Sequence, residues 1–134
     1  MRLTNIFFKK YCLCATFLLY LHPKYNSYGR IIQKKPDKVY LENPNILYAL
    51  APTHVEIGTL RETFAVGCLS ETHNVEYGKA QGDFKVDSKY TFEIGGRSKD
   101  FSQIAGVKDS YIFADDWDIP DGAKLPLWML GFLY

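Results

Sequence analysis

Two acidic residues of one predicted hairpin are the strongest candidates for chemistry in this sequence. Asp83 and Glu93 lie in the segment 82–99, whose pattern is typical of a β-hairpin that ends in a glycine pair. Its large apolar residues are Phe84, Val86, Tyr90 and Phe92. A two-residue turn would place them on opposite faces, whereas a three-residue turn over 87–89 places them on one face and brings Asp83 opposite Glu93. Two carboxylates about 5 Å apart repel unless a cation or a shared proton lies between them, so the hairpin is a candidate divalent-metal site.

The alternative is that both acids lie on a solvated face of the hairpin, as most carboxylates do. Five basic residues cluster around the same segment and could form a patch that contacts phosphates, although interleaved charges of both signs are ordinarily a soluble surface. These residues are Lys79, Lys85, Lys89, Arg97 and Lys99. The histidines, in contrast, are scattered and have no neighbours at a spacing that indicates a catalytic triad.

The elements that would position the hairpin follow from propensity and turn signals. The predicted strands are 38–41, 75–77, the two halves of the hairpin, and 110–114. The predicted helices are a short one capped by Asn45 and running to Leu50, one capped by Thr59 and running to about Leu69, and a short one capped by Ser98 and running to Ala105. Residues 120–126 are predicted to be a loop. The resulting order of helix, three strands, helix and strand predicts an α/β fold, with a mixed four-stranded sheet flanked by helices.

The predicted helix that follows Thr59 has an apolar stripe formed by Leu60, Phe64 and Cys68, which recur every four residues. Glu62 lies off that stripe.

Composition sets the limits within which any function must fall. A chain of 134 residues is long enough for one ordinary domain, and its 47% hydrophobic and 16% aromatic content argues for a globular core. A net charge of +1 gives no general attraction to nucleic acid or to an anionic membrane. The three cysteines, Cys12, Cys14 and Cys68, lack zinc-type spacing and are interpreted as reduced thiols of a cytoplasmic protein.

The two ends of the chain differ from the middle. Residues 1–35 form a basic and apolar segment, separate from a predicted domain at 36–134. The apolar run 11–21 has the outline of a signal peptide without a small-residue cleavage site, and it is shorter than the roughly 20 residues of a membrane-spanning helix. Export and a short buried helix both remain open for this run. Residues 127–134 are too apolar for a frayed tail and are expected to dock on the sheet or on a partner.

Several short segments in this order resemble a known family. They are Lys38-Val39-Tyr40-Leu41-Glu42-Asn43, Gly58-Thr59-Leu60-Arg61-Glu62-Thr63-Phe64, Gly82-Asp83-Phe84, Phe92-Glu93-Ile94 and the terminal 126–134. Together they resemble the core of the PD-(D/E)-XK nuclease-like superfamily. More closely, they resemble the C-terminal domain of unknown function of bacterial and archaeal AAA-type ATPases. The resemblance implies the αβββαβ core of restriction endonucleases.

The resemblance also implies a set of functional residues. Glu62, Asp83 and Glu93 match the three acids that hold magnesium in such nucleases, and the position of the lysine that helps to activate water is Gly95. Arg97 or Lys99 could reach back to supply the missing cation, but arginine is a poor proton acceptor. The missing lysine therefore favours a catalytically degenerate domain.

The chain has no nucleotide-binding loop of the pattern G-x-x-x-x-G-K-S/T, so no ATP site is expected in it. It is therefore interpreted as a truncated fragment that carries only the tail domain of an ATPase. The expected function is interaction with DNA or with another protein through the apolar C-terminal segment, with no role for a membrane. The alternatives are a residual magnesium-dependent nuclease and a small exported protein.

Overall fold

The computed structural model describes residues 18–21, 38–79 and 81–133. Within them, seven strands form in chain order: β1 (Leu18–Leu21), β2 (Lys38–Leu41), β3 (Val75–Tyr77), β4 (Phe84–Val86), β5 (Tyr90–Gly95), β6 (Ser110–Ala114) and β7 (Lys124–Pro126). The α-helices are α1 (Pro44–Leu50) and α2 (Ile57–Ser70), and short 3-10 helices cover Ser102–Ile104 and Leu127–Phe132.

The main sheet has five strands in the order β3-β4-β5-β6-β7. β3, β4 and β5 are antiparallel, whereas β6 is parallel to β5 and β7 is parallel to β6. The predicted α/β class with a mixed sheet is therefore confirmed, but the predicted count of four strands is wrong. The fifth strand is β7, in the segment 120–126 that was predicted to be a loop. It is short and ends in a proline, so its strand geometry depends on pairing with β6 and not on local propensity.

A second sheet lies near the start of the described chain. β2, which was predicted, pairs antiparallel with β1. β1 falls within the apolar run for which a signal peptide or a short helix was predicted, and at 18–21 the helical interpretation is wrong because the backbone bonds to β2. The remainder of that run, at 11–17, and the predicted boundary at 35 lie outside the described residues.

The hairpin has the predicted register. Val86 lies opposite Tyr90 and Phe84 lies opposite Phe92, with three residues in the turn between the strands. Asp87 and Ser88 both have positive φ, of 52° and 57°, the backbone geometry of turns that match the right-handed twist of paired strands. The apolar face that results joins the main hydrophobic core, in which Phe84 and Val86 are fully buried.

The helices begin at different residues from those predicted. α1 starts at Pro44, and its N-cap is Asn43, whose side chain accepts a hydrogen bond from the backbone N–H of Asn45. α2 starts two residues before Thr59, and the Glu56 side chain makes no capping hydrogen bond. The fully buried face of α2 is formed by Thr63, Ala65, Val66 and Leu69. The predicted stripe of Leu60, Phe64 and Cys68 is only partly buried, because the sheet contacts α2 slightly to one side of it.

The segment after β5 does not form the predicted helix 98–105. Only Ser102–Ile104 is helical, as a single 3-10 turn, and the preceding residues form a loop that is bound to β7. At the C-terminus, Leu127 and Leu130 are buried in the core beside α2. The segment was expected to dock on the sheet or on a partner; these two residues join the core that lies between α2 and the sheet. Within the described part of the chain, no helix has the length and apolar character that crossing a membrane requires.

Candidate functional site

The hairpin places Asp83 and Glu93 at one cleft. The backbone N–H of Asp83 donates to the carbonyl of Phe92 over 2.9 Å, and the Asp83 carboxylate accepts from the N–H of Ile94 over 2.8 Å. Glu93 belongs to β5, and its side chain is only 2% exposed. The two acids line a cavity of about 220 Å³ together with Tyr77, Lys79, Gly82 and Gln103.

The electrostatics of Asp83 show that negative charge is concentrated at this cleft. The pKa of Asp83 is raised to about 6, first by burial of the carboxyl and then by the nearby charges of Glu93 and Glu62. The Ile94 N–H and the Lys38 ammonium act in the opposite direction, since each favours the charged carboxylate. The Asp83 carboxyl therefore lies close to two other acids, Glu93 and Glu62.

Glu62 reaches this region from α2 and is held by two residues of β2. The Lys38 ammonium lies 2.5 Å from a Glu62 carboxylate oxygen, and the Tyr40 hydroxyl donates to the same oxygen. Burial and the neighbouring Glu62 charge raise the pKa of Tyr40 well above its usual range, so the hydroxyl remains a proton donor. Sequence reasoning missed both partners, although alternation along a strand places residues 38 and 40 on one face.

Lys99 contacts Glu93 through the space beside Gly95. A Cβ atom added to Gly95 would lie 2.7 to 2.8 Å from the Cβ, Cγ and Cδ atoms of Lys99. The Lys99 stem therefore occupies the space that a side chain at Gly95 would fill. Its ammonium forms an ion pair with Glu93 and also donates to the Gln103 side chain over 2.7 Å. Lys99, in the loop that follows β5, thus contacts Glu93 by passing through the space beside Gly95.

The second glycine of the pair makes room for an arginine. A Cβ atom on Gly96 would lie 3.1 Å from a guanidinium nitrogen of Arg61, one helix position before Glu62. Arg61 in turn bonds to the carboxylate of Asp115 over 2.9 Å. Asp115 follows β6, and its N–H donates to the carbonyl of Gly95. The glycine pair is thus the point at which α2, β5 and β6 meet.

The remaining predicted site residues lie elsewhere. The Arg97 guanidinium is 6.0 Å from the centre of the Trp117 ring, and the Arg97 backbone carbonyl accepts from Lys124. The expected basic patch is dispersed: Lys79 lines the cavity, Lys85 extends from β4 opposite Thr91, and Lys89 donates to the hydroxyl of Tyr90. Of the two cations considered in place of a lysine at Gly95, only Lys99 reaches the acids.

The donor set can be tested for its fit to a metal ion. Within the described residues, no group of three or more histidine, cysteine, aspartate or glutamate side chains is arranged to hold a metal. Asp83 and Glu93 nevertheless offer two carboxylates at one cavity. Magnesium ions in proteins are commonly bound through one or two carboxylates, with water and substrate phosphates as the other ligands. The oxygen donors present therefore fit Mg²⁺ and provide no nitrogen or sulfur ligands that would favour zinc.

Comparison of the chain with protein-family models, with curated proteins and with solved structures found no match.

Proposed function

We propose that residues 36–134 form a nuclease-like domain of the kind that accompanies AAA-type ATPases, and that its cleft hydrolyses phosphodiester bonds with magnesium. The observation that carries this proposal is the contact of Lys99 with Glu93 through the space at Gly95. The expectation of a degenerate domain depended on the missing lysine. Because a lysine reaches the same acid by another path, catalysis becomes the better supported of the two alternatives.

Each side chain of the cleft has a chemical role in this proposal. Asp83 and Glu93 would bind the Mg²⁺ ion, which would lower the pKa of a bound water and neutralise phosphate charge. The Lys99 ammonium lies beside Glu93, where it can stabilise the extra negative charge of the transition state. Lys38 and Tyr40 bind Glu62 and thereby limit the repulsion between it and Asp83.

The direct test is a plasmid-nicking assay with Mg²⁺ or Mn²⁺ at pH 8. We expect cleavage by the full chain and a loss of about 100-fold or more for Asp83→Asn and for Lys99→Met, the scale on which a positioned charge-stabilising group acts. Lys108→Met is the matched control, because the Lys108 side chain is 93% exposed and should be dispensable. Tight DNA binding without any cation-dependent cleavage would refute catalysis and support a binding domain.

A second test places a lysine at position 95 and removes the one at position 99. Lys99→Gly removes the Lys99 ammonium together with the Cβ atom that would lie 2.8 Å from a Cβ atom at position 95, and the double variant Gly95→Lys/Lys99→Gly returns an ammonium from the freed position. We expect the double variant to recover at least about tenfold of the cleavage lost in Lys99→Gly, since the charge again lies close to Glu93. If both variants are equally inactive while the unchanged protein cleaves, the two positions are not equivalent and Lys99 has a different role.

An exposed apolar surface supports a second function, interaction with a protein partner. Trp128 and Phe132 are 53% and 72% exposed, and their rings contact each other edge to face at 6.0 Å. Large aromatic residues in such positions are enriched at protein interfaces. An ATPase module is the partner that the resemblance implies. If Trp128→Ser/Phe132→Ser weakened binding to such a module and left cleavage unchanged, the two functions would be separate.

A further inference from the structure

Lys124, at the start of β7, contacts the loop that carries Lys99. Its ammonium donates to the backbone carbonyl of Arg97 over 2.8 Å and to that of Lys99 over 3.0 Å. The same ammonium lies 4.2 Å from the centre of the Trp117 ring. One side chain thus binds two of the three backbone carbonyls of the short segment 97–99 and is held against an aromatic ring.

The backbone of Lys124 is itself fixed. Its N–H donates to the carbonyl of Asp121 over 2.9 Å, and its carbonyl accepts from the Asp121 N–H over 2.8 Å. In β7 it lies in register with Ile112 of the neighbouring strand β6. Trp117 packs against the smaller core cluster that contains Ile112. The ammonium therefore extends from a paired edge strand of the sheet to a loop with little regular structure.

We propose that Lys124 is the positioning residue for Lys99: by binding the carbonyls of Arg97 and Lys99, it holds the loop where the Lys99 side chain passes Gly95 and reaches Glu93. This inference rests on the proposed function, because it concerns the cation of the same cleft. An ammonium group has three N–H donors. Two are used by the carbonyls and the group faces an aromatic ring, so Lys124 is placed to hold the loop and not to bind a phosphate.

The chain offers matched variants for a test. Lys124→Met keeps most of the side-chain length and removes the ammonium, whereas Lys124→Arg keeps a cation with several donors. Lys108→Met again removes an exposed lysine as the control. We expect Lys124→Met to lower plasmid cleavage by about 10- to 100-fold, the scale of a misplaced catalytic group, and Lys124→Arg to retain most of it. In a Lys99→Met background, Lys124→Met should cause no further loss.

A second readout does not depend on activity. In the proton–carbon NMR spectrum of the lysine side chains, the Lys99 resonance is assigned by its disappearance in Lys99→Met. A held ammonium gives two distinct ε-methylene proton signals, which merge when the side chain rotates freely. We expect merged signals in Lys124→Met and distinct signals in the unchanged chain, in Lys124→Arg and in Lys108→Met.

The outcomes separate this inference from the proposed function. If the unchanged chain does not cleave DNA, the proposed function fails, and the NMR comparison still decides whether Lys124 holds Lys99. Unchanged Lys99 signals in Lys124→Met, or a loss that multiplies with that of Lys99→Met, would overturn the positioning role. Should Lys124→Met fail to fold, Trp117→Phe weakens the aromatic contact of the same ammonium. In Trp117→Phe, the two ε-methylene proton signals of Lys99 should lie closer together than in the unchanged chain. An unchanged separation of these signals would also overturn the inference.

Discussion

At the scale of single residues, the surroundings of Asp83 change its pKa and therefore its contribution to stability. Its carboxyl is half-buried beside two other acids, and its pKa is raised to about 6, against about 3.9 for an unperturbed aspartate. A carboxyl of this kind takes up protons on folding between these two pH values. Its charged form therefore destabilises the folded protein at neutral pH. Raised pKa values of this kind are frequent among the titratable groups of functional sites.

The prediction at this scale concerns how the free energy of unfolding depends on pH. Because the folded-state pKa of Asp83 lies above its unfolded value, the stability contributed by its proton is complete below about pH 4 and is lost as the pH rises through 6. Asp83→Asn removes the charge and still offers an oxygen to the Ile94 N–H. We therefore expect it to be more stable than the unchanged chain by on the order of 1 kcal/mol at pH 8, after allowance for solvent screening. Urea unfolding at pH 4 and pH 8 measures the difference, which should be smaller at pH 4.

At the scale of secondary-structure elements, the glycine pair at the end of β5 determines which side chains reach the cleft. Gly95 leaves space for the stem of Lys99, and Gly96 leaves space for the guanidinium of Arg61. No positive φ requires glycine at either position. At both positions, a side chain from another part of the chain occupies the space that a Cβ atom would need. The same pair ends the strand that carries Glu93, so the strand end and the cation at the cleft depend on one short sequence.

Substituting the first glycine tests this interpretation. In Gly95→Ala the new methyl group overlaps the Lys99 stem, which must move away and withdraw its ammonium from Glu93. We expect cleavage to fall by about tenfold or more, since the stabilising charge is displaced. Gly58→Ala is the control, because no atom lies within 4 Å of the added methyl group there. Full activity in Gly95→Ala, measured in the nicking assay alongside this control, would show that the path of Lys99 past Gly95 is not required.

At the scale of the whole molecule, the cleft is formed by elements that are far apart in the chain. The hairpin brings Asp83 and Glu93 to the cavity, and the loop before the 3-10 turn brings Lys99 to Glu93. Glu62 on α2 does not line the cavity but lies close enough to Asp83 to raise its pKa. A cation bound between Asp83 and Glu93 would bind only to the folded state, since the unfolded chain does not hold these groups together. Binding to the native state alone raises the apparent stability of a protein.

This coupling gives a prediction for thermal unfolding. At pH 8, Mn²⁺ or Mg²⁺ at about 100 times its dissociation constant should stabilise the unchanged chain by about 2.7 kcal/mol, through mass action alone. Asp83→Asn should lose most of this response, because one of the two carboxylate ligands is gone, while Lys108→Met should keep it. Differential scanning calorimetry with and without the cation measures both effects. An equal rise in Tm for all three proteins would show that the cation binds elsewhere.

Local sequence patterns were sufficient for some parts of this protein. Alternation of Phe84, Val86, Tyr90 and Phe92 determined the register of the hairpin, because a shift by one residue would have exposed half of its apolar side chains. That register alone placed Asp83 opposite Glu93. The α/β class likewise followed from the order of the elements, since a parallel strand after a hairpin needs a crossover connection.

Tertiary structure alone decided the rest. β7 is a strand only because β6 provides its partners, and the predicted helix at 98–105 is replaced by a loop that Lys124 binds from 25 residues away. The sequence named Arg97 and Lys99 as the two side chains that could replace a lysine at Gly95, but it did not determine which of them reaches Glu93. Periodicity reports which residues share a face within one element. The path of a long side chain through a gap depends on how several elements pack, and only the folded chain determines it.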